Sequence, residues 1–387
     1  MRTKLLCCMT VGIRLLAGTA VAQQGTLPTE AAVGELEIMA TFDGPMPTGV
    51  TVSQTGRIFV NFPRWGDDVE FTVAELVDGK PVAYPNADFN RFDQDRPEEC
   101  LVSVQSVVVD PNDRLWLLDT GSIELGPTIP DGPKLVGVDL ETNEVFTTIP
   151  FPRDIALETT YLNDVRFDLR RGEEGVAYIT DSSRHGPNAI IVVDLASGES
   201  RRRLNDHPST KAEQTFLPIV EGQPLMNRPA DGEPTHMTIG ADGIAIGHDG
   251  RHLYYCPLSS RRLYRVPTEV LLDEEVDDDE AGKAVEDLGD RGFASDGLES
   301  DHRGNVYLTN YEDNGIVRRN PQGSYETLVH HPAALWPDTL SLGHDGYLYF
   351  TANQLHRQKQ FHNGKELRQK PYVMFRLRVD GAPVLLR

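Results

Sequence analysis

Alternating apolar and polar positions recur in six short segments spread along the chain. Each segment has an apolar strand, a turn rich in Asp, Gly or Asn, and a second strand with aromatic or β-branched residues. The six are GVTVSQTGRIFVNF (49–62), SVVVDPNDRLWLLDTG (106–121), DVRFDLRRGEEGVAYITDSS (164–183), GIAIGHDGRHLYYCPLSS (243–260), GLESDHRGNVYLTNYE (297–312) and TLSLGHDGYLYFTANQ (339–354). A period of two is typical of strands, and the turn residues between them favour hairpins. The pattern therefore predicts six hairpins.

A third apolar segment follows each predicted hairpin. These segments are FTVAELVDG (71–79), LVGVDL (135–140), IIVVDLASG (190–198), RRLYRVP (261–267), GIVRRNPQG (315–323) and YVMFRLRVDG (372–381). Several of them end in a polar-Gly turn that would lead to an outer fourth strand. Sheets of about four strands that repeat around an axis are the blades of a propeller.

We therefore predict an all-β fold, a six-bladed β-propeller formed as a single domain by residues 23–387. Its inner strands are predicted to begin at Val50, Val107, Val165, Ile244, Leu298 and Leu340. The segment GELEIMATF (34–42) has no hairpin of its own and is predicted to complete the last blade. An open stack of hairpins is the alternative, but it would leave long sheet edges exposed.

The N-terminal segment, residues 1–22, has the pattern of a cleaved export signal. Arg2 and Lys4 precede an apolar run from Leu5 to Val21, and small residues at Ala20 and Ala22 flank the end of that run. Such a start, run and cleavage site are typical of a signal peptide. We expect a secreted protein, extracellular or periplasmic, without a membrane anchor, since the run is short and carries Arg14.

The amino-acid composition limits the classes of molecule that this protein is expected to bind. The formal net charge is −22, from 59 acidic and 37 basic side chains. This surface would repel phosphate backbones, which argues against nucleic acid as a partner. Once the signal is removed, Cys100 and Cys256 are the remaining cysteines. An oxidising compartment would allow them to pair, but two buried thiols are the commoner case, and the sequence leaves both open.

Polar residues occupy one repeated position just before the predicted inner strands. In chain order they are Thr48, Gln105, Asn163, Asp242, Asp296 and Asp338. In a propeller they would form a ring around one mouth of the central channel. Convergent oxygens of this kind suit a hard cation such as calcium, or an amine. The alternative is that these residues only form turns, which Asn-Asp and Asp-Gly pairs do well.

Aromatic residues lie just upstream of several ring positions: Tyr161, Phe293 and Trp336. Apolar walls with a few convergent polar groups describe a small-molecule site, and this predicts a ligand of that kind at the channel mouth. Packing between neighbouring blades is the alternative for each aromatic residue. No nucleophile elbow, zinc-protease, phosphate-loop or dinucleotide motif is present in the sequence.

Several long motifs resemble the major royal jelly protein/yellow family. They are NFPRWGDDVEFTVAEL (61–76), SVQSVVVDPNDRLWLLDTG (103–121), TYLNDVRFD (160–168), VVDLASGESRRRLNDHPST (192–210) and SDGLESDHRGNVYLTNYEDNGI (295–316). The resemblance covers most of the predicted mature chain. It implies a secreted six-bladed propeller and, for some members of the family, small aromatic amines bound at the channel.

The chain is more distantly similar to the senescence marker protein/gluconolactonase superfamily. That resemblance implies a divalent metal held by Asn163, Asp242 and Asp296, with Asp296 also serving as base. The chain departs from the pattern because Asp stands for Asn at 242 and Thr48 stands where the Glu is expected. The sequence therefore supports two main hypotheses for the function of this protein. It binds a small ligand or, as the alternative, it is a metal-dependent lactonase or related hydrolase. A structural or interaction protein without a small-molecule site is a third reading.

Overall fold

The strands form in the order that the alternating pattern predicts. The computed structural model describes residues 31–387, and the predicted signal peptide lies outside them. The first strand is β1 (Glu37–Phe42). Blade 1 contains β2 (Val50–Val52), β3 (Ile58–Asn61), β4 (Val73–Val77) and β5 (Lys80–Ala83). Blade 2 contains β6 (Val104–Val109), β7 (Arg114–Asp119), β8 (Lys134–Asp139) and β9 (Val145–Pro150). Blade 3 contains β10 (Leu162–Asp168), β11 (Val176–Asp181), β12 (Ile190–Asp194) and β13 (Ser200–Arg203).

The second half of the chain repeats this arrangement after a short hairpin. The hairpin is formed by β14 (Ile219–Val220) and β15 (Gln223–Pro224). Blade 4 contains β16 (Ala241–Ile246), β17 (His252–Pro257), β18 (Arg262–Pro267) and β19 (Glu286–Asp290). Blade 5 contains β20 (Leu298–Ser300), β21 (Val306–Asn310), β22 (Gly315–Arg319) and β23 (Tyr325–His330). Blade 6 contains β24 (Pro337–Leu342), β25 (Tyr347–Ala352) and β26 (Tyr372–Arg378).

Helical structure is confined to short segments in the loops. The helices are α1 (Ala87–Asn90), α2 (Thr268–Leu272) and α3 (Asp278–Lys283), with 3₁₀ turns at Pro97–Glu99, Leu355–Arg357 and Lys359–Phe361. Among the described residues, no helix is long and apolar enough to cross a membrane.

The ring of blades is closed by the N-terminal strand, as predicted. Strand β1 pairs antiparallel with β26 and so becomes the outer strand of blade 6. Neighbouring inner strands contact each other in cyclic order, and β2 meets β24 where the ring closes. The prediction of a six-bladed β-propeller is confirmed.

The core is divided among the interfaces between blades. Side chains alternate between the two faces of each sheet, so each blade presents an apolar face to both of its neighbours. The described residues contain six buried hydrophobic clusters, one for each pair of adjacent blades. Between blades 2 and 3, for example, the rings of Trp116 and Phe167 stack with 5.3 Å between their centroids. Cys100 and Cys256 are both buried and free, so they form no disulfide.

Four inner strands begin three residues earlier than predicted. In blades 2, 3, 4 and 6 the strands start at Val104, Leu162, Ala241 and Pro337, whereas Val50 and Leu298 start as predicted. Each of the four strands has a register shift just after its first residues. Strict alternation does not predict the first three residues of these strands, because a β-bulge breaks the period of two.

Candidate functional site

The register shifts place ring residues inside the inner strands instead of in turns before them. Gln105, Asn163, Asp242 and Asp338 all lie within the shifted part of their strands. A β-bulge redirects a side chain out of the regular alternation, and bulges are common next to functional sites. The prediction that these residues lie just before the strands is therefore wrong for four blades, while their shared position is confirmed.

Threonines on the second strands support the irregular backbone at this position. Thr180 Oγ1 in β11 donates to the carbonyl oxygen of Asp242 in the next blade (2.7 Å). Thr309 Oγ1 in β21 accepts a hydrogen bond from Asp296 N (2.8 Å). Buried backbone groups need partners when they lie outside a regular ladder. These contacts fix the ring residues to the neighbouring strands.

The ring residues form the floor of a cavity of about 570 Å³ at one end of the channel. The ring residues that line it are Gln105, Asn163, Asp242, Asp296 and Asp338. Thr48 is buried outside the cavity wall, where its Oγ1 accepts a hydrogen bond from Asn61 Nδ2 (2.8 Å). The structure thus brings together five of the six predicted positions.

Two floor carboxyl groups hydrogen-bond to each other. The carboxyls of Asp242 and Asp296 form this pair, and only 4% and 6% of these residues are exposed. Burial raises the pKa of Asp296 from its ordinary value of 3.8 to about 6, against the opposing effect of hydrogen bonds from Trp336 and Asp242. Burial, followed by repulsion from Asp296, raises the pKa of Asp242 well above its usual range. Asp242 also accepts from Asn163 Nδ2 through Oδ1 (2.7 Å). Burial and the repulsion between the two carboxyls therefore both act against the doubly ionised form of the pair.

The third floor carboxyl, Asp338, is held separately from this pair. Its Oδ2 accepts a hydrogen bond from Asn353 Nδ2 (2.5 Å), at the end of β25. Burial and the nearby Asp296 charge raise its pKa well above the usual range. Three desolvated acids without a buried basic partner on the floor favour protonated forms or a bound cation.

Of the three predicted aromatic residues, Tyr161 lines the cavity. Its hydroxyl accepts from Trp65 Nε1 (2.8 Å) and donates to Gln105 Oε1 (3.1 Å). Trp65, in the loop after β3, also lines the cavity and lies 6.1 Å from the Tyr161 ring, centroid to centroid. Trp65 precedes no inner strand, so the repeat pattern does not identify it, although it lies within the family motif at 61–76.

Phe293 and Trp336 do not lie on the cavity wall. Phe293 packs edge-to-face against Tyr325 in the interface of blades 4 and 5, as the packing alternative predicts. Trp336 is fully buried behind the floor, and its Nε1 donates to Asp296 Oδ2 (2.7 Å). Its indole stacks between Tyr311 (4.1 Å between centroids) and a histidine ring from the loop after β25. Trp336 therefore orients Asp296.

Loop residues with no signal in the sequence repeats form the rest of the wall. From the 3₁₀ segments after β25 come Leu355, Gln358, Lys359, Gln360 and Phe361, and from the loop after β11 come Ser182, Ser183, Arg184 and His185. The loop after β7 supplies Glu124, Leu125, Gly126 and Pro127, and the loop before β10 supplies Glu158, Thr159 and Thr160. Ile239 and Leu258 add apolar surface from the edge of blade 4. No periodic signal identifies these residues, because loops follow neither strand nor helix spacing.

A second cavity lies at the opposite ends of the inner strands, where Arg166 and the C-terminal tail meet. Arg166 in β10 crosses from blade 3 to blade 5, where its Nη2 donates to Leu298 O (2.6 Å). This cavity, of about 80 Å³, is lined in part by Pro383, Val384 and Leu385. The tail that carries these residues is tied to blade 3, since Leu169 N donates to Leu386 O (2.8 Å).

The residues of the predicted metal set contact one another. Asn163 directs its amide nitrogen at Asp242, and Asp242 and Asp296 bond to each other. Within residues 31–387, no group of three or more His, Cys, Asp or Glu side chains is arranged to hold a metal. Thr48, at the expected Glu position, is engaged elsewhere. The arrangement favours proton sharing, and the metal assignment of Asn163, Asp242 and Asp296 stays a prediction.

The fold is a six-bladed β-propeller, and one cavity in it is lined by three carboxyl groups and by the rings of Trp65 and Tyr161. The chain belongs to the Major royal jelly protein family, whose sequence pattern matches residues 102–380. The resemblance inferred from the sequence motifs is thereby confirmed.

Three similar proteins each align with only part of this chain. Major royal jelly protein 1 of Apis mellifera is 27% identical over 228 residues, 55% of this chain and 48% of that protein. Dopaminechrome tautomerase of Drosophila melanogaster is 26% identical over 270 residues, 65% of this chain and 54% of that protein. Protein yellow of Drosophila pseudoobscura pseudoobscura is 28% identical over 233 residues, 56% of this chain and 39% of that protein. The matches span about half the length of these relatives.

Solved structures share the fold at low sequence identity. The calcium-binding protein regucalcin of Agrobacterium tumefaciens has a TM-score of 0.53 and 15% identity, with 92% of this chain and 95% of that one covered. A putative gluconolactonase has a TM-score of 0.55 and 12% identity, with 90% and 93% covered. At this identity the likeness shows the propeller fold alone.

Proposed function

We propose that this protein binds a small aromatic amine in the cavity at the channel mouth. The observation that carries the proposal is the floor of three buried carboxyl groups, Asp242, Asp296 and Asp338, beneath the rings of Trp65 and Tyr161. A cavity of about 570 Å³ lies within the range of roughly 300–1,000 Å³ that small-molecule sites occupy.

The amine is favoured by the electrostatics of the floor. Buried acids with raised pKa values are stabilised in the ionised form when a cation arrives, because the cation offsets both desolvation and mutual repulsion. An ammonium group needs only one or two carboxylates, whereas a metal needs about six oxygen ligands. An aromatic ring on the same ligand would pack against Trp65 and Tyr161.

A second candidate is proton transfer on the bound ligand. It is favoured by the hydrogen-bonded pair of Asp242 and Asp296, in which one carboxyl has a pKa of about 6. Such a pair offers a proton acceptor and a proton donor near neutral pH. A tautomerisation needs only these two groups, since the proton taken from one ligand atom is matched by the proton given to another. One relative in the same family is a dopaminechrome tautomerase.

The lactonase alternative has less support. It needs a divalent metal on Asn163, Asp242 and Asp296, with Asp296 as catalytic base. The floor groups bond to one another in a way that does not favour metal ligation, and the solved gluconolactonase resembles this chain in fold alone. Metal analysis of the purified protein tests it: a stoichiometric divalent cation that Asp296→Asn removes, together with lactone turnover, would establish the hydrolase.

Calorimetry with tryptamine tests the binding proposal. We expect wild-type protein to bind tryptamine and Asp296→Asn to bind it about 10–100-fold more weakly, the value of one charge-assisted hydrogen bond. Asp78→Asn is the matched control, since Asp78 lies in an exposed turn with a φ of 51° that Asn tolerates. The proposal would be rejected if wild-type protein did not bind tryptamine, or if Asp296→Asn bound it as tightly as Asp78→Asn does.

We also propose that the protein acts outside the cytoplasm. The support is the export pattern of residues 1–22 and the membership of the chain in the Major royal jelly protein family. The acidic surface suits a soluble secreted protein.

A further inference from the structure

Among the described residues, Arg184 is a cation on the cavity wall that pairs with no carboxylate. Arg184 lies in the loop that follows β11 and lines the cavity above the carboxyl floor. In residues 31–387, its guanidinium takes part in no hydrogen bond or ion pair with a side chain or carbonyl. Burial lowers its pKa from the ordinary value of 12.5, and Tyr161 is the one group whose charge acts against this.

Arg202 and Arg64 differ from Arg184 in that both have partners within the protein. Arg202, in the same blade, pairs with Asp181 (2.8 Å), and Arg64 donates to the carbonyl oxygens of Val102 (2.9 Å) and Val69 (2.5 Å). Arg184 is half-buried, so its guanidinium keeps contact with solvent while its five donors have no partner within the described part of the protein. Such a group at a ligand cavity is poised to receive an anion.

The floor of the cavity is acidic, whereas its wall carries charges of both signs. The floor holds Asp242, Asp296 and Asp338. The wall holds Arg184, whose charge acts on the Tyr161 hydroxyl, together with Lys359 and the carboxylates of Glu124 and Glu158. An aromatic amine alone would satisfy the floor and leave Arg184 unpaired. A ligand with an anionic group beside its amine would satisfy both the floor and Arg184. Guanidinium matches the planar, two-oxygen geometry of a carboxylate.

We propose that Arg184 binds the carboxylate of the ligand, so that the site takes an aromatic ligand with both an amine and a carboxylate, of the aromatic α-amino acid class. This inference rests on the proposed binding function and narrows its ligand class. The ammonium lies on the carboxyl floor, the carboxylate meets Arg184, and the aromatic ring packs on Trp65 and Tyr161.

Three probes separate the carboxyl floor from Arg184. L-tryptophan carries both charged groups, tryptamine lacks the carboxylate, and indole-3-propionate lacks the amine. We expect wild-type protein to bind L-tryptophan at least about 10-fold more tightly than either of the others by calorimetry, the value of one charge-assisted contact. Tryptamine binding by itself tests the proposed function.

Substitution of Arg184 tests its role. We expect Arg184→Gln to weaken L-tryptophan binding about 10–100-fold and to leave tryptamine binding within about 3-fold, since only the former ligand contacts the guanidinium. Arg184→Lys keeps the charge but loses the planar guanidinium that can donate two parallel hydrogen bonds, so we expect an intermediate loss of L-tryptophan affinity. Arg251→Gln is the control, because Arg251 is exposed and pairs only with Asp249 beside the inner hairpin turn of blade 4. It should bind all three probes as wild type does.

The outcomes are distinguishable. Wild-type protein that binds tryptamine at least as tightly as L-tryptophan overturns the inference and leaves the proposed function standing. Wild-type protein that binds none of the three overturns both. Equal weakening of L-tryptophan and tryptamine in Arg184→Gln overturns the assigned role, because a general structural effect would then explain the loss. If that variant does not fold, the wild-type preference alone decides.

Discussion

Replacing Asp296 by Asn should stabilise the protein at neutral pH. The carboxyl is 6% exposed and forms hydrogen bonds with Trp336 and Asp242. Asn has the same shape, its carbonyl oxygen can accept from Trp336 Nε1, and its amide can donate to Asp242. The substitution therefore keeps the packing and the contacts but removes a buried titrating group.

The magnitude follows from the pKa of Asp296. Burial raises this pKa from 3.8 to about 6, so the folded protein binds the proton more tightly than the unfolded chain does. The folded state then loses stability as the pH rises from about 4 to about 6. The folded and unfolded pKa values differ by about 2, which corresponds to a loss of about 3 kcal/mol of unfolding free energy. This loss is absent below pH 3.8 and complete above pH 6. The variant lacks this loss.

Urea unfolding at pH 4, 5, 6 and 7 measures the effect. We expect the free energy of unfolding of Asp296→Asn, relative to wild type, to rise by about 3 kcal/mol between pH 4 and pH 7. Asp78→Asn, in its exposed turn, should show no such rise. A wild-type-to-variant difference that stays constant over this range would refute the view that Asp296 is a desolvated acid.

Three further predictions follow from particular contacts. Lys134 is 1% exposed and its Nζ donates to Asp119 Oδ2 (3.0 Å), so Lys134→Met should cost about 3–5 kcal/mol of unfolding free energy in urea, and a loss below 1 kcal/mol would contradict it. Trp336→Phe removes the hydrogen-bond donor that lowers the pKa of Asp296, so the variant should lose unfolding free energy over a pH range that extends higher than in wild type. If the pH dependence of stability is the same in both proteins, the Trp336 hydrogen bond does not lower this pKa. Mass spectrometry of exported protein should find a new terminus near Gln23, whereas intact protein confined to the cytoplasm would disprove the signal peptide.

The candidate site was only partly predictable from the sequence. Asp296 and Asp242 were selected because they hold the same place in successive repeats, and the cyclic fold turns that shared place into convergence. Trp336 also belongs to this pattern, but the structure puts it behind Asp296 and not beside a ligand. Arg184 was not selected, since a single loop arginine has no signal in one sequence.

The sequence by itself determined the hairpins, the number of blades and the closing strand 34–42, because alternation and turn chemistry act between residues that are close along the chain. The tertiary structure decided the register shifts that start strands at residues such as Leu162, and the contact of Arg166 that joins blade 3 to blade 5. It also decided the raised pKa of Asp296, since desolvation depends on atoms from other blades. These features arise from contacts between residues far apart in sequence, which local periodicity does not record.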